Sequence, residues 1–153
     1  MKVVIIGNGM VGYKCCEKLL TKNPGDTQII VFGEETRPAY DRVHLSDFFA
    51  GKSADDLSMA SEDWYSGNNI KLHLGDPIQH IDTQNKTVHS HLGITESYDY
   101  LVFATGSAAF VPTIPGVDKK GVFIYRTIED LILIKEYARH AKKGAVIGGG
   151  LLG

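Results

Sequence analysis

The sequence has few cysteines, little net charge and no long hydrophobic run. Its two cysteines, Cys15 and Cys16, are adjacent, which excludes a disulfide framework and a cysteine metal site. A formal charge of −2 argues against a nucleic-acid or polybasic membrane surface. No apolar run approaches the ~20 residues that span a bilayer, and no signal-peptide pattern precedes the first apolar run. These absences predict a soluble, cytoplasmic chain that is the size of one domain.

Glycine, in contrast, is abundant, with 17 residues among 153. The segment Gly7-Asn8-Gly9-Met10-Val11-Gly12 follows the apolar run Val3–Ile6 and opens a helical pattern. In a dinucleotide-binding turn the first glycine allows the tight turn, the second lets a pyrophosphate approach, and the third lets helix and strand pack closely. Glu34 follows the next apolar run, about 20 residues on, where an acid binds ribose hydroxyls. A glycine turn that binds nothing is the alternative, and this context disfavours it.

The pattern predicts an α/β fold that begins with a strand–helix–strand unit. Val3–Ile6 and Ile29–Phe32 predict parallel strands that are buried on both faces. The helix between them has an apolar stripe and is stopped by Asn23-Pro24-Gly25. The predicted stripe consists of Val11, Cys15 and Leu19, with Cys16 and Leu20 beside it.

The rest of the chain alternates between turn-rich and regular segments. Residues 34–58 form a long polar connection, and a short helix starts near Ser61. Segments 78–82, 87–91 and 96–98 predict an antiparallel meander, and 101–104 predicts another buried strand. Thr127 caps a helix with the stripe Leu131, Ile134, Ala138 and Ala141, which ends at Gly144. Residues 145–147 predict a last strand.

A second G-x-G-x-x-G motif follows that last predicted strand, over Gly148–Gly153. Two such motifs predict two nucleotide sites in one polypeptide. Because the last residue is the last glycine of the motif, we expect the chain to be a piece of a longer protein. The expected domains are 1–143 and the start of a second domain, 144–153. A coincidental glycine-rich tail is the alternative.

Three further segments carry a resemblance to a known family. They are Ala104-Thr105-Gly106 between the two glycine motifs, the run Arg37–Ser46 with its Y-D-R-x-x-L-S pattern, and Arg126–Asp130. Together with the glycine motifs they resemble the flavoprotein reductases that have two dinucleotide-binding domains. Val43-His44 within the second segment is most similar to the assimilatory NAD(P)H-nitrite reductase branch. The resemblance covers the whole chain.

This resemblance implies a Rossmann-like FAD-binding domain, truncated at the start of its NAD(P)-binding domain. It places the FAD pyrophosphate on the first glycine motif and the adenosine ribose on Glu34, with two arginines near the flavin or its phosphates. It places NAD(P)H on the second motif. The implied cofactor-binding residues are Gly7, Gly9, Val11, Gly12, Glu34, Arg42, Ile78, Thr105, Gly106, Arg126, Gly148, Gly150 and Gly153.

The implied activity is electron transfer from NAD(P)H through FAD to an iron–sulfur and siroheme centre outside this chain, where nitrite is reduced to ammonium. The chain alone is expected to be inactive, and no catalytic residue or metal ligand is assigned in it. The implied partners are the cofactors and the remainder of the polypeptide, with a small subunit or a second copy as further options. The sequence does not distinguish NAD from NADP.

Two alternatives stay open. A ferredoxin or rubredoxin reductase shares most of the motifs, but such relatives carry Lys where this chain has Asp47. A nucleotide-binding module without catalytic activity is the second alternative. Arg42 is assigned a ligand role in preference to a solvated one, whereas for Arg126 the two are evenly balanced. The His89 and His91 pair is interpreted as a solvated strand face, and Cys15 and Cys16 as packing residues.

Overall fold

The computed structural model describes residues 1–22 and 25–148. The described chain divides into two compact units. The first unit comprises Met1–Asp41 and Ser58–Ser107, and the second comprises Arg42–Leu57 and the residues from Ala108 onward. The strands are β1 (Lys2–Ile6), β2 (Gln28–Phe32), β3 (Ile70–His73), β4 (Ile78–Asp82), β5 (Thr87–Ser90), β6 (Thr95–Ser97) and β7 (Tyr100–Phe103), and the helices are α1 (Met10–Lys22), α2 (Glu62–Gly67) and α3 (Ile128–Ala138).

The first unit is built on a four-stranded parallel sheet in the order β3-β2-β1-β7. Successive residues of a strand point to opposite faces, so each apolar strand serves two cores. Val3 and Ile5 pack in one core with residues of α1 and α2. Val4 and Ile6 pack in the other core against Val88 of β5. The predicted α/β class and the parallel pairing of the first two strands are confirmed. The strand predicted at 101–104 forms as β7, but it is not buried as expected, because it lies at the edge of the sheet and Tyr100 and Phe103 are 60% and 65% exposed.

The second face of the sheet is covered by the antiparallel meander β4-β5-β6. This meander was predicted from the sequence and is confirmed within a residue or two of its expected bounds. Strand β3 was not assigned from the sequence. Its residues alternate between Ile70 and Leu72, which pack in the core on the helical face, and the polar Lys71 and His73. This alternation is typical of a half-buried strand and differs from the continuous apolar runs of β1 and β2.

A carboxylate on the meander joins it to the parallel sheet. Glu96 of β6 accepts hydrogen bonds from Lys2 of β1 at 2.5 Å and from Lys71 of β3 at 3.0 Å. Its side chain is 13% exposed. Burial by itself raises the pKa of Glu96, but the hydrogen bonds and charges of Lys2 and Lys71 outweigh it and leave the pKa below its ordinary value.

Four of the five residues in the predicted stripe of α1 pack in or against the core, namely Cys15, Cys16, Leu19 and Leu20. Gly12, Tyr13 and Cys16 are the buried residues, whereas Val11 is 69% exposed. Val11 alone departs from the predicted stripe, because Gly12 beside it faces the turn and the strands. The predicted stop at Asn23-Pro24 lies outside the described residues.

The second unit contains two short 3-10 helices, Leu45–Phe48 and Asp55–Leu57, and the helix α3. The predicted N-cap is confirmed, because the Thr127 hydroxyl accepts from the Asp130 N–H and the Asp130 carboxylate accepts from the Thr127 N–H. The helix ends at Ala138 and not at Gly144 as predicted. Ile128 and Leu131 are its buried residues, and residues 139–144, which were expected to form the last turn, are exposed.

The predicted strand over 145–147 is not formed. Val146 and Ile147 are 82% and 77% exposed, and the described residues of this unit contain no strand with which they could pair. An unpaired strand leaves its backbone donors and acceptors without a ladder. Among the described residues no helix combines the length and the apolar character needed to cross a membrane.

We predict that Glu96→Gln lowers the free energy of unfolding by about 1 kcal/mol at pH 7, the value of a partly exposed ion pair. A lowered carboxyl pKa stabilises the folded state above the unfolded value of about 4.3, and this contribution disappears as the pH falls through the folded value. The difference in free energy of unfolding between Glu96→Gln and the unmodified protein should therefore become smaller toward pH 3, as measured by urea unfolding. The exposed Glu136→Gln serves as the control, and an equal deficit at both pH values would contradict the assignment.

Candidate functional site

The first glycine motif forms the turn between β1 and α1. The Gly7 N–H donates to the Phe32 carbonyl at 2.8 Å, so the turn begins where pairing with β2 ends. The Tyr13 N–H donates to the Gly9 carbonyl at 3.0 Å, which is the first bond of the helical ladder. The N–H groups of the preceding helical residues have no carbonyl four residues back within the helix. This turn has the donor pattern and the helix dipole that favour an anion.

Two of the three glycines are required by the packing of the protein itself. A Cβ at Gly7 would lie 2.2 Å from the Ala104 carbonyl oxygen, and the φ of Gly7 is +108°. A Cβ at Gly12 would lie 2.1 Å from the Gly7 carbonyl oxygen. Both distances are far below van der Waals contact, so no side chain fits at either position.

Gly9 differs from its two neighbours. A Cβ at Gly9 would meet no atom within 4 Å, and its φ is not in the left-handed region. Neither backbone conformation nor internal packing therefore requires a glycine here. The open space beside this residue is where a Cβ would obstruct the approach of a pyrophosphate to the turn. The arrangement fits a dinucleotide.

The segment after β7 lies directly beside the turn. The Ala104 N–H donates to the Ile6 carbonyl at 2.7 Å and extends the pairing of β7 with β1. A Cβ at Gly7 would also lie 2.9 Å from the Thr105 nitrogen. Gly106, with φ of +66°, then turns the chain away from the strand direction. The structure thus brings Thr105 to the glycine turn, as expected of two residues at the carboxyl ends of neighbouring parallel strands.

Two other predicted residues belong to the same unit. Glu34 is exposed and follows Gly33, the residue after β2. A Cβ at Gly33 would lie 3.1 Å from the Asn8 Cβ, which places the start of this loop beside the glycine turn. Ile78 is the first residue of β4, and its side chain packs against the core under the meander.

The remaining predicted residues belong to the second unit. The Arg42 guanidinium donates to the Arg126 backbone carbonyl at 3.1 Å, so these two residues are in contact. Asp47 accepts from Lys52 at 2.8 Å. Gly148 has a φ of +108°. Gly150 and Gly153 lie outside the described residues.

One contact at the site was missed by the sequence analysis. The Tyr65 hydroxyl of α2 donates to the Asn8 Oδ1 in the glycine turn at 2.8 Å. Tyr65 is not among the residues that the motifs in the sequence assign to the site. A buried tyrosine hydroxyl needs a partner, and that rule was the available clue.

The cysteines and histidines do not form a redox or metal centre in the part of the chain that the structure describes. Cys16 is fully buried, and burial, with the neighbouring Cys15, raises the pKa of its thiol to about 12. His89 bonds to Thr95 at 2.9 Å, and His91 to Gln79 at 2.8 Å. Within residues 1–22 and 25–148, no three His, Cys, Asp or Glu side chains are grouped to hold a metal ion.

Comparison with known proteins assigns the chain to a group of reductases. The family model described as "Pyridine nucleotide-disulphide oxidoreductase" matches residues 1–153. The chain is 48% identical over 154 residues to the nitrite reductase (NADH) large subunit of Escherichia coli K12, covering 100% of this chain and 18% of that protein. It is 44% identical over 153 residues to the assimilatory nitrate reductase electron transfer subunit of Bacillus subtilis 168, covering 99% and 20%.

The chain therefore spans about a fifth of the length of these curated relatives. Among solved structures, the NADH:rubredoxin oxidoreductase of Clostridium acetobutylicum superposes with a TM-score of 0.80 at 29% identity, covering 90% of this chain and 35% of that one. The Rossmann-like fold and the resemblance to the nitrite reductase branch are confirmed by these matches.

We predict that Gly12→Ala destabilises the fold and that Gly9→Ala leaves its stability nearly unchanged. Gly12→Ala should lower the free energy of unfolding by about 3 kcal/mol or more, because the methyl group collides with backbone that cannot move aside. Gly9→Ala should stay within about 0.5 kcal/mol of the unmodified protein. Urea unfolding of both variants tests this, and equal damage at the two positions would disprove the distinction.

Proposed function

Because the chain belongs to the pyridine nucleotide-disulphide oxidoreductase family, we propose that it is the FAD-binding part of an NAD(P)H-dependent nitrite reductase. The observation that carries the proposal is the open position of Gly9 between two glycines that the fold itself requires. The similarity to the E. coli nitrite reductase large subunit supports nitrite as the final electron acceptor.

The glycine turn would bind the FAD pyrophosphate through its backbone. The backbone N–H groups of Gly9, Val11 and Gly12 lie at the start of α1, where the helix dipole places partial positive charge, and they would donate to the phosphate oxygens. Val11 would contribute through its backbone N–H, because its side chain is exposed. Gly12 and Tyr13 lie on the buried face of the helix. Glu34 would accept hydrogen bonds from the adenosine ribose hydroxyls, a role that an exposed carboxylate after the second strand can perform.

The other cofactor-binding assignments are supported by the resemblance. Thr105 and Gly106 would line the flavin site, and Ile78 would offer backbone groups to the adenine. Arg42 and Arg126 would serve the flavin or its phosphates, since a guanidinium matches phosphate oxygens in bidentate geometry. Gly148, Gly150 and Gly153 would begin the NAD(P)H site, in a second domain that starts near residue 144.

The chain contributes binding and orientation to the reaction. When bound, FAD accepts a hydride from NAD(P)H and passes the electrons on singly. The backbone of the turn fixes the dinucleotide, and no side chain of this chain is assigned as an acid or a base. The iron–sulfur and siroheme centre that would reduce nitrite to ammonium is proposed to lie outside this chain.

A second candidate is an NAD(P)H-dependent rubredoxin or ferredoxin reductase. The structural similarity to the NADH:rubredoxin oxidoreductase of C. acetobutylicum favours it. Asp47 argues against it, because its carboxylate pairs with Lys52 where a cation is expected in those relatives. The two candidates differ in the acceptor and share the same FAD site.

We predict that Gly9→Val weakens FAD binding about 100-fold, or ~2.7 kcal/mol, without loss of folding. The branched side chain would fill the space where the pyrophosphate approaches the turn. Quenching of flavin fluorescence during titration of the full-length apoprotein measures the affinity. Gly67→Val is the matched control, because Gly67 also has open space around its Cβ position and no left-handed φ. Unchanged FAD affinity in Gly9→Val would refute the assignment of the turn.

The acceptor is tested on the full-length flavinated protein. Nitrite should support steady oxidation of NAD(P)H with ammonium as product. Oxidation that requires added rubredoxin or ferredoxin, and that nitrite does not support, would favour the second candidate. A protein that binds FAD but shows no flavin reduction by NAD(P)H would instead be a nucleotide-binding module.

A further inference from the structure

We propose that the Tyr65 hydroxyl is a positioning residue for the dinucleotide, and that it acts through Asn8. The inference rests on the proposed FAD site and assigns a function to a residue that none of the glycine or arginine motifs includes. Tyr65 lies on α2, and it follows Asn8 of the turn by 57 residues in the sequence.

Tyr65 is held rigidly. It is 1% exposed, and its ring packs edge-on against Trp64 with centroids 5.0 Å apart. Trp64 in turn contacts the Tyr13 ring of α1, also at 5.0 Å. The Ser61 side chain accepts from the Trp64 N–H and caps the helix that carries both residues. These contacts therefore fix the position of the Tyr65 hydroxyl.

Asn8 lies in the glycine turn between Gly7 and Gly9. Its Oδ1 accepts from Tyr65 at 2.8 Å, and its Cβ fills the space beside Gly33. Its Nδ2 is buried and has no hydrogen-bond partner among the described residues. The Tyr65 hydroxyl thus makes the hydrogen bond that the structure shows for this amide.

This contact can set the position of the phosphate-binding backbone. Gly7 is fixed from one side by Ala104 and Thr105, whereas Gly9 has open space around it. Asn8 joins the two residues, so its anchored side chain limits how far the Gly9 end of the turn can move. A binding site needs its groups held to within about 0.5 Å, and a loss of this restraint would lower affinity without removing any ligand contact.

A merely structural role for the hydroxyl can be separated from this one. Tyr13 provides a matched comparison, because it is 7% exposed and its hydroxyl donates to Glu17 at 2.8 Å. Both rings belong to the same core. Of these two hydroxyls, that of Tyr65 contacts a residue of the glycine turn, whereas that of Tyr13 contacts its own helix.

The first test measures FAD affinity of the full-length apoprotein by flavin fluorescence, with thermal unfolding recorded in parallel. Tyr65→Phe should weaken FAD binding about 10-fold, the effect of about 1.4 kcal/mol, and Tyr13→Phe should leave the affinity within about twofold. Unchanged affinity in Tyr65→Phe would overturn the proposal. So would equal losses in both variants, since that result indicates a general loss of core stability.

The second test asks whether the hydroxyl acts through Asn8. Asn8→Ala should weaken FAD binding about as much as Tyr65→Phe, and the double variant should be no weaker than either single one, because contacting residues are non-additive. A double variant whose FAD affinity falls by the product of the two single-variant factors would overturn the proposal. If Tyr65→Phe does not fold, Asn8→Ala carries the test alone, and its unchanged affinity would be decisive against the proposal.

The failure of this inference is distinguishable from the failure of the proposed function. An unmodified protein that does not bind FAD would refute both. An unmodified protein that binds FAD and loses it in Gly9→Val, but not in Tyr65→Phe, would refute the role of Tyr65 alone.

Discussion

The first unit depends on the close approach of two stretches of backbone at the carboxyl end of β1. Gly7 and Ala104 come so near to each other that a single carbon atom on Gly7 would collide with the neighbouring strand. The same is true of Gly12 against Gly7. This contact sets where the strand stops, where α1 starts and how near the helix lies to the sheet. The donors at the start of α1 are positioned as a consequence.

The sheet on which this turn sits has two different covers. Helices α1 and α2 pack on one face, and a small antiparallel meander packs on the other. β1 and β2 are apolar after their first residues, Lys2 and Gln28, whereas β3 alternates apolar residues with Lys71 and His73. Lys71, with Lys2, meets the carboxylate of Glu96, so the meander is attached by charge as well as by apolar contact.

Local signals in the sequence predicted the parts of the fold that local forces determine. The buried strands β1 and β2, the meander and the N-cap at Thr127 were predicted correctly, whereas β7 was predicted as a buried strand but lies at the sheet edge with Tyr100 and Phe103 exposed. Strand β3 was missed because it forms by pairing with β2, which is distant in the sequence, and its four residues alone do not specify that partner. The expected strand at 145–147 failed because a strand needs a partner.

The candidate site divides in the same way between local and distant determinants. The spacing of the glycines predicted a turn after β1, and the structure supplies the collisions that explain Gly7 and Gly12. The bond between Tyr65 and Asn8 joins residues that are distant in the sequence, and only the packing of α2 on the sheet brings them together. No periodicity or motif encodes that contact.

The contrast between Gly9 and its two neighbours extends to the fate of the protein in a cell. A lesion at Gly7 or Gly12 damages folding, so proteases and chaperones would clear the product and its level would fall. A lesion at Gly9 would leave a folded chain at normal abundance that has lost its ligand. Protein level alone would then separate genetic variants at Gly7 and Gly12, which build the turn, from variants at Gly9, the glycine proposed to face the cofactor.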